Sequence, residues 1–285
     1  MFEAPIEGIA PGPSAPARQA LRPEGRDILS VEDLRIDFAD PQGPARQVVA
    51  GATLRVPLGG YVAVIGASGS GKSLTCLATM GLVDGAARVS GRICFAGRVF
   101  EAADTAGLAR LRGSGIAMIF QDPFASLNPV RSIGAQIVET LRVHDASLCR
   151  QTARKKALAL LDRVGLDRAA LRFSQYPHEL SGGMNQRVMI ALALSSSPRL
   201  LIADEPTTAL DARIQRLVMD LIDDLRVSEG LSILLVSHDL GLVRDYADAI
   251  YTMEQGRTVE VGPPEKLAQQ VQLQGGPCQS SEAVA

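Results

Sequence analysis

Gly66-Ala67-Ser68-Gly69-Ser70-Gly71-Lys72-Ser73 decides the fold. It fits the pattern of a glycine, four free positions, then Gly-Lys-Ser or Gly-Lys-Thr. Glycines let the backbone approach a ligand without a Cβ clash, so that N–H groups converge on phosphate oxygens. Lys72 brings a point charge to the β- and γ-phosphates, and the Ser73 hydroxyl can ligate Mg²⁺. Ala67, Ser68 and Ser70 contribute backbone N–H groups to the same loop. Tyr61–Ile65, apolar at successive residues, reads as a strand buried on both faces, and Leu74–Leu82 as the helix that follows. Strand, glycine-rich loop and helix in that order are the context in which the motif cradles phosphate.

Outward from this loop the chain alternates strands and helices. Leu29–Phe38 alternates apolar and polar side chains over part of its length, as an edge strand would, and Val48–Val56 reads as its antiparallel neighbour. Pro41-Gln42-Gly43-Pro44 reads as a turn. Residues 89–100 form a strand pair around Gly97, 107–113 a short helix, and Ile116–Phe120 a buried strand. From Ile133 to about Leu171 the period is helical, with Leu158, Leu161 and Val164 on one face and Gly165 as C-cap. Met184–Leu194, Leu200–Ala203, Ala212–Arg226 and Leu231–Val236 continue the alternation, and residues 248–261 close it as a hairpin. The expected fold is α/β, with a mainly parallel sheet, an antiparallel β subdomain and an inserted helical subdomain at about 125–180. Residues 1–28, which carry five prolines, read as a disordered extension. Residues 29–268 form the folded domain and 269–285 a loose tail.

Composition narrows the function. The 285 residues carry 29 Lys+Arg against 31 Asp+Glu, a net charge of -2, which argues against a dedicated nucleic-acid binder. Aromatics are 4% with no Trp, too few for a base-stacking platform. No run reaches the roughly 18 apolar residues of a spanning helix, and no secretory signal pattern heads the chain. Cys76, Cys94, Cys149 and Cys278 are far apart and form no CxxC pair, so buried free thiols are expected.

Leu200-Leu201-Ile202-Ala203-Asp204-Glu205 is an apolar strand ending in two carboxylates. Acids at the carboxyl end of a parallel strand lie where open α/β sheets bind ligand. One can hold Mg²⁺, and the other can orient or deprotonate a water. A strand ending in an acid is common, and the pairing with the phosphate loop is what gives this one weight.

Further segments carry a resemblance. Leu180-Ser181-Gly182-Gly183-Met184 with Gln186-Arg187 resembles the signature sequence of ABC-type ATPases. Thr208-Ala209-Leu210-Asp211 resembles their D-loop, His238 in Val236-Ser237-His238-Asp239 their switch histidine, and Gln121 their Q-loop glutamine. All stand in the family's order across residues 29–267. The resemblance implies a P-loop NTPase fold, ATP and Mg²⁺ as ligand and cofactor, and Lys72, Glu205 and His238 as catalytic groups. It implies metal ligation by Ser73, Gln121 and Asp204. It also implies nucleotide contacts from Gly66, Gly69, Gly71 and Phe38, and across a subunit boundary from Ser181, Gly182, Gly183 and Asp211. Each residue has an ordinary alternative. Phe38 can pack in the core, Ser181 and Asp211 can cap helices, and Gln121 can be a solvated amide. His238 can be structural, the role expected of His144 and His178.

Ile119-Phe120-Gln121-Asp122-Pro123-Phe124-Ala125-Ser126-Leu127-Asn128-Pro129 and Pro177-His178-Glu179-Leu180 resemble the oligopeptide, dipeptide and nickel importer group. That group pairs two different ATPase subunits with two membrane permeases, served by an extracytoplasmic solute-binding protein. The implied location is the cytoplasmic face of the inner membrane, without nucleic acid. The sequence departs from the group at Ala67, where Glu is frequent. The C-terminus holds Cys278 alone, so no iron–sulfur cluster is expected. A soluble ABC ATPase of DNA repair or translation would carry two cassettes or long coiled coils. A P-loop kinase would lack the Ser181-Gly182-Gly183 and His238 segments.

Overall fold

The computed structural model describes residues 26–39, 45–208 and 210–264. In chain order its strands are β1 (Asp27–Phe38), β2 (Arg46–Pro57), β3 (Tyr61–Ile65), β4 (Ala87–Phe95), β5 (Arg98–Glu101), β6 (Ile116–Ile119), β7 (Leu200–Asp204), β8 (Ser232–Val236), β9 (Ala249–Glu254) and β10 (Arg257–Gly262). Its helices are α1 (Lys72–Thr79), α2 (Thr105–Ala109), α3 (Pro123–Ser126), α4 (Ile133–His144), α5 (Arg150–Arg163), α6 (Ala169–Arg172), α7 (Gly182–Leu194), α8 (Ala212–Glu229) and α9 (Leu240–Tyr246).

Two sheets organise them. One is antiparallel, in the order β2-β1-β4-β5; the other runs β10-β9-β3-β8-β7-β6. Within the second, β3, β6, β7, β8 and β9 are mutually parallel, and only β10 pairs antiparallel. Strands β3, β7 and β8 are buried at every residue, which explains their unbroken apolar runs.

Their side chains alternate between two cores. Tyr61, Ala63, Ile65, Leu201, Ala203, Ile233 and Leu235 face the helices α4, α5, α7 and α8. Val62, Val64, Leu200, Ile202, Leu234 and Val236 face α1 and the antiparallel sheet. Each fully buried aliphatic side chain contributes about 1.5–3 kcal/mol. Residues 123–180 hold α3–α6, packed into the first core by Ile133, Ile137, Ala157 and Leu161.

Several expectations are corrected. Strand β1 is interior, between β2 and β4, rather than an edge. Its alternation fails where Asp33 takes φ +46 and the pairing slips between Glu32 and Arg35. It also begins at Asp27, inside the stretch expected to be disordered, because Ile28 is buried. Helix α1 starts at Lys72 and stops at Thr79, short of Leu82, where Gly81 turns the chain at φ +62. Helix α2 spans Thr105–Ala109, capped by Asp104, which accepts from Gly107 N–H. Phe120 lies beyond β6 and is exposed, and α9 was not anticipated. Cys76 is buried, whereas Cys94 is half-buried and Cys149, the N-cap residue of α5, is exposed. Cys278, the 41–44 turn, Ala209, residues 1–25 and the expected tail lie outside the described residues.

Candidate functional site

Parallel strands place their carboxyl ends along one edge, so the loops leaving β3, β8, β7 and β6 gather there. A cavity of about 650 Å³ opens at that edge. It is lined by Phe38, Gly66, Ser68, Gly69, Gly71, Lys72, Ser73, Gln121, Glu205 and His238, all singled out in the sequence. Arg46, Val48 and Leu74 complete the lining.

The loop owes its shape to glycine. Gly66 has φ +151, and a Cβ there would lie 2.2 Å from the Met253 carbonyl oxygen. Gly71 has φ +106 and opens α1, whose first N–H groups have no partner within the helix. The Ser70 N–H donates to the Ala67 carbonyl (3.2 Å), which closes the turn. Lys72 is buried, and its Nζ donates to the Gly66 and Ala67 carbonyls at 2.9 Å each. These bonds hold the ammonium against the loop. Ala67 and Ser70 shape the loop without lining the cavity.

The acidic pair stands opposite. Ser73 Oγ donates to Asp204 Oδ1 at 3.0 Å, across 131 residues of sequence. Burial pushes the Asp204 carboxyl above its usual range, and the nearby Glu205 charge adds to this. The Ser73 hydrogen bond and the Lys72 charge act the other way. Glu205 follows in a sharp turn, at φ +46, with its N–H donating to the Val236 carbonyl (2.9 Å). Such a backbone costs about 1–3 kcal/mol in a non-glycine residue. The turn aims the carboxylate into the cavity. There Oε2 accepts from Gln121 Nε2 (3.1 Å) and Thr208 Oγ1 (3.0 Å), and lies 3.4 Å from His238 Nδ1. Residues from β6, β7 and β8 thus converge on one oxygen.

Other residues lie apart. Ser181 caps α7, accepting from Met184 N–H at 3.4 Å, and neither it nor Gly182 or Gly183 lines the cavity. Gly183 packs instead on Ile214 of α8. Asp211 caps α8: its Oδ1 accepts from the N–H groups of Arg213 (3.1 Å) and Ile214 (3.0 Å). His178 stacks on Tyr176, and His144 packs over Gly113. Sequence reasoning missed Arg46, although the hairpin register that pairs it with Phe38 carries the signal. Thr208, quoted only as part of a resemblance, had no role of its own.

The glycine-rich loop, two acids and a histidine gather at one sheet edge, and a family profile described as ABC transporter matches residues 49–208. The chain belongs to the ABC transporter family. Among its relatives, the dipeptide transport ATP-binding protein DppD of Escherichia coli (strain K12) is 43% identical over 236 residues, covering 82% of this chain and 72% of DppD. The glutathione import ATP-binding protein GsiA of Salmonella paratyphi A is 43% identical over 251 residues, 86% of this chain and 40% of GsiA. A solved dimeric ATP-binding cassette in a post-hydrolysis state, bound to ADP and Pi, superposes with a TM-score of 0.71 at 26% identity. It covers 82% of this chain and 98% of that one. This ABC protein is accordingly an ATPase with a P-loop NTPase fold.

Proposed function

We propose that this chain energises an importer of peptides or related small solutes, hydrolysing ATP on behalf of separate membrane permeases. The observation that carries the reading is the single cavity lined by Phe38, the phosphate loop, Gln121, Glu205 and His238. The names of DppD and GsiA support short peptides as cargo, and neither supports nickel. Among the described residues no helix is long and apolar enough to cross a membrane, in keeping with a peripheral subunit on the inner membrane's cytoplasmic face. Exposed Phe124, just after Gln121, offers a contact to a permease.

In this reading Phe38 stacks on adenine, and the Gly66–Ser73 loop wraps the phosphates with its N–H groups and the Lys72 ammonium. Ser73, Asp204 and Gln121 present oxygen atoms of the hard kind that Mg²⁺ takes, and the 3.0 Å approach of Ser73 Oγ to Asp204 Oδ1 suits a shared cation. Mg²⁺, when bound, neutralises charge on the phosphates. Glu205 orients the attacking water or takes its proton, and His238 donates to the γ-phosphate. Ser181, Gly182 and Gly183 serve the site of a second ATPase subunit, a related chain. Their position outside this chain's cavity and the dimeric state of the solved cassette support that pairing. A solute-binding protein would act through the permeases.

Glu205→Gln tests the reading. General-base removal costs about 10²–10⁴-fold, so turnover should fall by at least 100-fold while ATP still binds. Turnover close to wild type in a folded variant refutes the role.

A further inference from the structure

We propose that Thr208 is a positioning residue for Glu205, fixing which carboxylate oxygen meets the water; the proposal rests on the role given to Glu205 above. Three side chains approach Glu205 Oε2: Gln121 Nε2 donates at 3.1 Å, Thr208 Oγ1 donates at 3.0 Å, and His238 Nδ1 lies 3.4 Å away. Among the described residues no hydrogen bond to Oε1 is recorded. The three groups differ in origin. Gln121 follows β6 and His238 follows β8, so each stands on a separate loop, and each lines the cavity as well. Thr208 sits three residues on from Glu205 in the same turn, where its N–H reaches the Glu205 carbonyl at 3.3 Å. It keeps its place relative to Glu205 when the other two are drawn to a nucleotide.

The Thr208 hydroxyl has one proton and two acceptors in reach, Oε2 at 3.0 Å and the Glu205 carbonyl oxygen at 3.3 Å. The shorter bond goes to a charged oxygen, and charge-assisted bonds are roughly twice as strong as neutral ones. The proton therefore serves the carboxylate. Glu205 needs such a tether because its φ of +46 aims the side chain by a strained backbone and leaves its torsions to be fixed by contacts. Anchoring Oε2 leaves Oε1, which has no hydrogen bond among the described residues, free to meet the water.

Thr208 is exposed, so its replacement leaves the cores intact. The test measures ATP turnover, KM and Tm of the full chain for Thr208→Val, Thr208→Ser and Glu205→Gln. Thr208→Val should lower kcat about tenfold or more, the low end of what a hydrogen bond to a charged group contributes. KM should stay within about twofold and Tm should not change. Thr208→Ser, which keeps the hydroxyl, should restore kcat. The proposal is overturned if Thr208→Val turns over like wild type, if serine fails to rescue, or if the loss comes with a fallen Tm or a raised KM. Should Glu205→Gln itself keep full turnover, the reading of Glu205 falls and this proposal with it. Loss in Glu205→Gln with an unaffected Thr208→Val removes Thr208 alone.

Discussion

Replacing Asp211 separates two roles that the sequence left open, helix capping and contact with a second subunit. Its Oδ1 accepts from Arg213 and Ile214 N–H at 3.1 and 3.0 Å, at the head of the 18-residue helix α8. Loss of an N-cap side chain costs about 1 kcal/mol, and loss of its charge near the positive helix end costs up to about 1 kcal/mol more. Asp211→Ala should therefore cost about 1–2 kcal/mol. At about 2–4 °C per kcal/mol for a domain of this size, Tm should fall by about 2–8 °C. Asp211→Ser keeps an acceptor in place and should lose far less. Thermal unfolding followed by circular dichroism, with ATP turnover measured in parallel, checks both. An Asp211→Ala melt that overlays the wild type refutes the capping argument. A Ser variant that melts normally yet loses turnover assigns the residue a second duty beyond its own helix.

Gly66→Ala should lower Tm and weaken ATP binding more than Gly69→Ala. A Cβ at Gly66 meets the Met253 carbonyl at 2.2 Å, whereas one at Gly69 meets nothing within 4 Å. Equal melts for the two variants would contradict this. Phe38→Ala should weaken ATP binding about 5- to 160-fold, the loss of about 1–3 kcal/mol of base stacking, with Phe38→Tyr near wild type. Titration with a fluorescent ATP analogue measures it, and unchanged affinity returns Phe38 to a packing role. Alkylation by iodoacetamide at pH 8, read by mass spectrometry, should modify Cys149 well before Cys76. The Thr152 hydroxyl, 3.2 Å from Cys149 Sγ, holds that thiol below its usual range, whereas burial pushes the Cys76 thiol well above it. Thr152→Val should slow the labelling of Cys149.

What the sequence revealed follows from which signals are local. Strands β3, β7 and β8 were legible because a strand buried on both faces is apolar at every position. The phosphate loop was legible because its glycines answer a backbone requirement that no other residue meets. Strand β1 was misread as an edge, because its second neighbour, β4, lies far along the chain and the slip at Glu32–Arg35 breaks its alternation. Helix α9 has only seven residues, too few for a helical period to emerge, although Asp239 caps it through Gly241 and Leu242 N–H. Within the site, the residues gathered at the sheet edge follow from the parallel order of the strands. The separation of Ser181–Gly183 from the cavity does not follow from any spacing. Thr208 escaped notice because its hydroxyl matters through a turn set by the positive φ of Glu205, which residue identity does not reveal.

The two cores on either side of the six-stranded sheet bear on how such a chain can change over generations. Neighbouring residues of one strand, such as Val62 and Ala63, answer to different packing partners. A mutation in the helical segment can be compensated among α4, α5 and α7 without disturbing the antiparallel sheet, and the reverse holds for β1, β2 and β4. Each half can drift at its own pace, because the two cores share only the strands between them. The shared strands between them keep both halves in register with the catalytic edge.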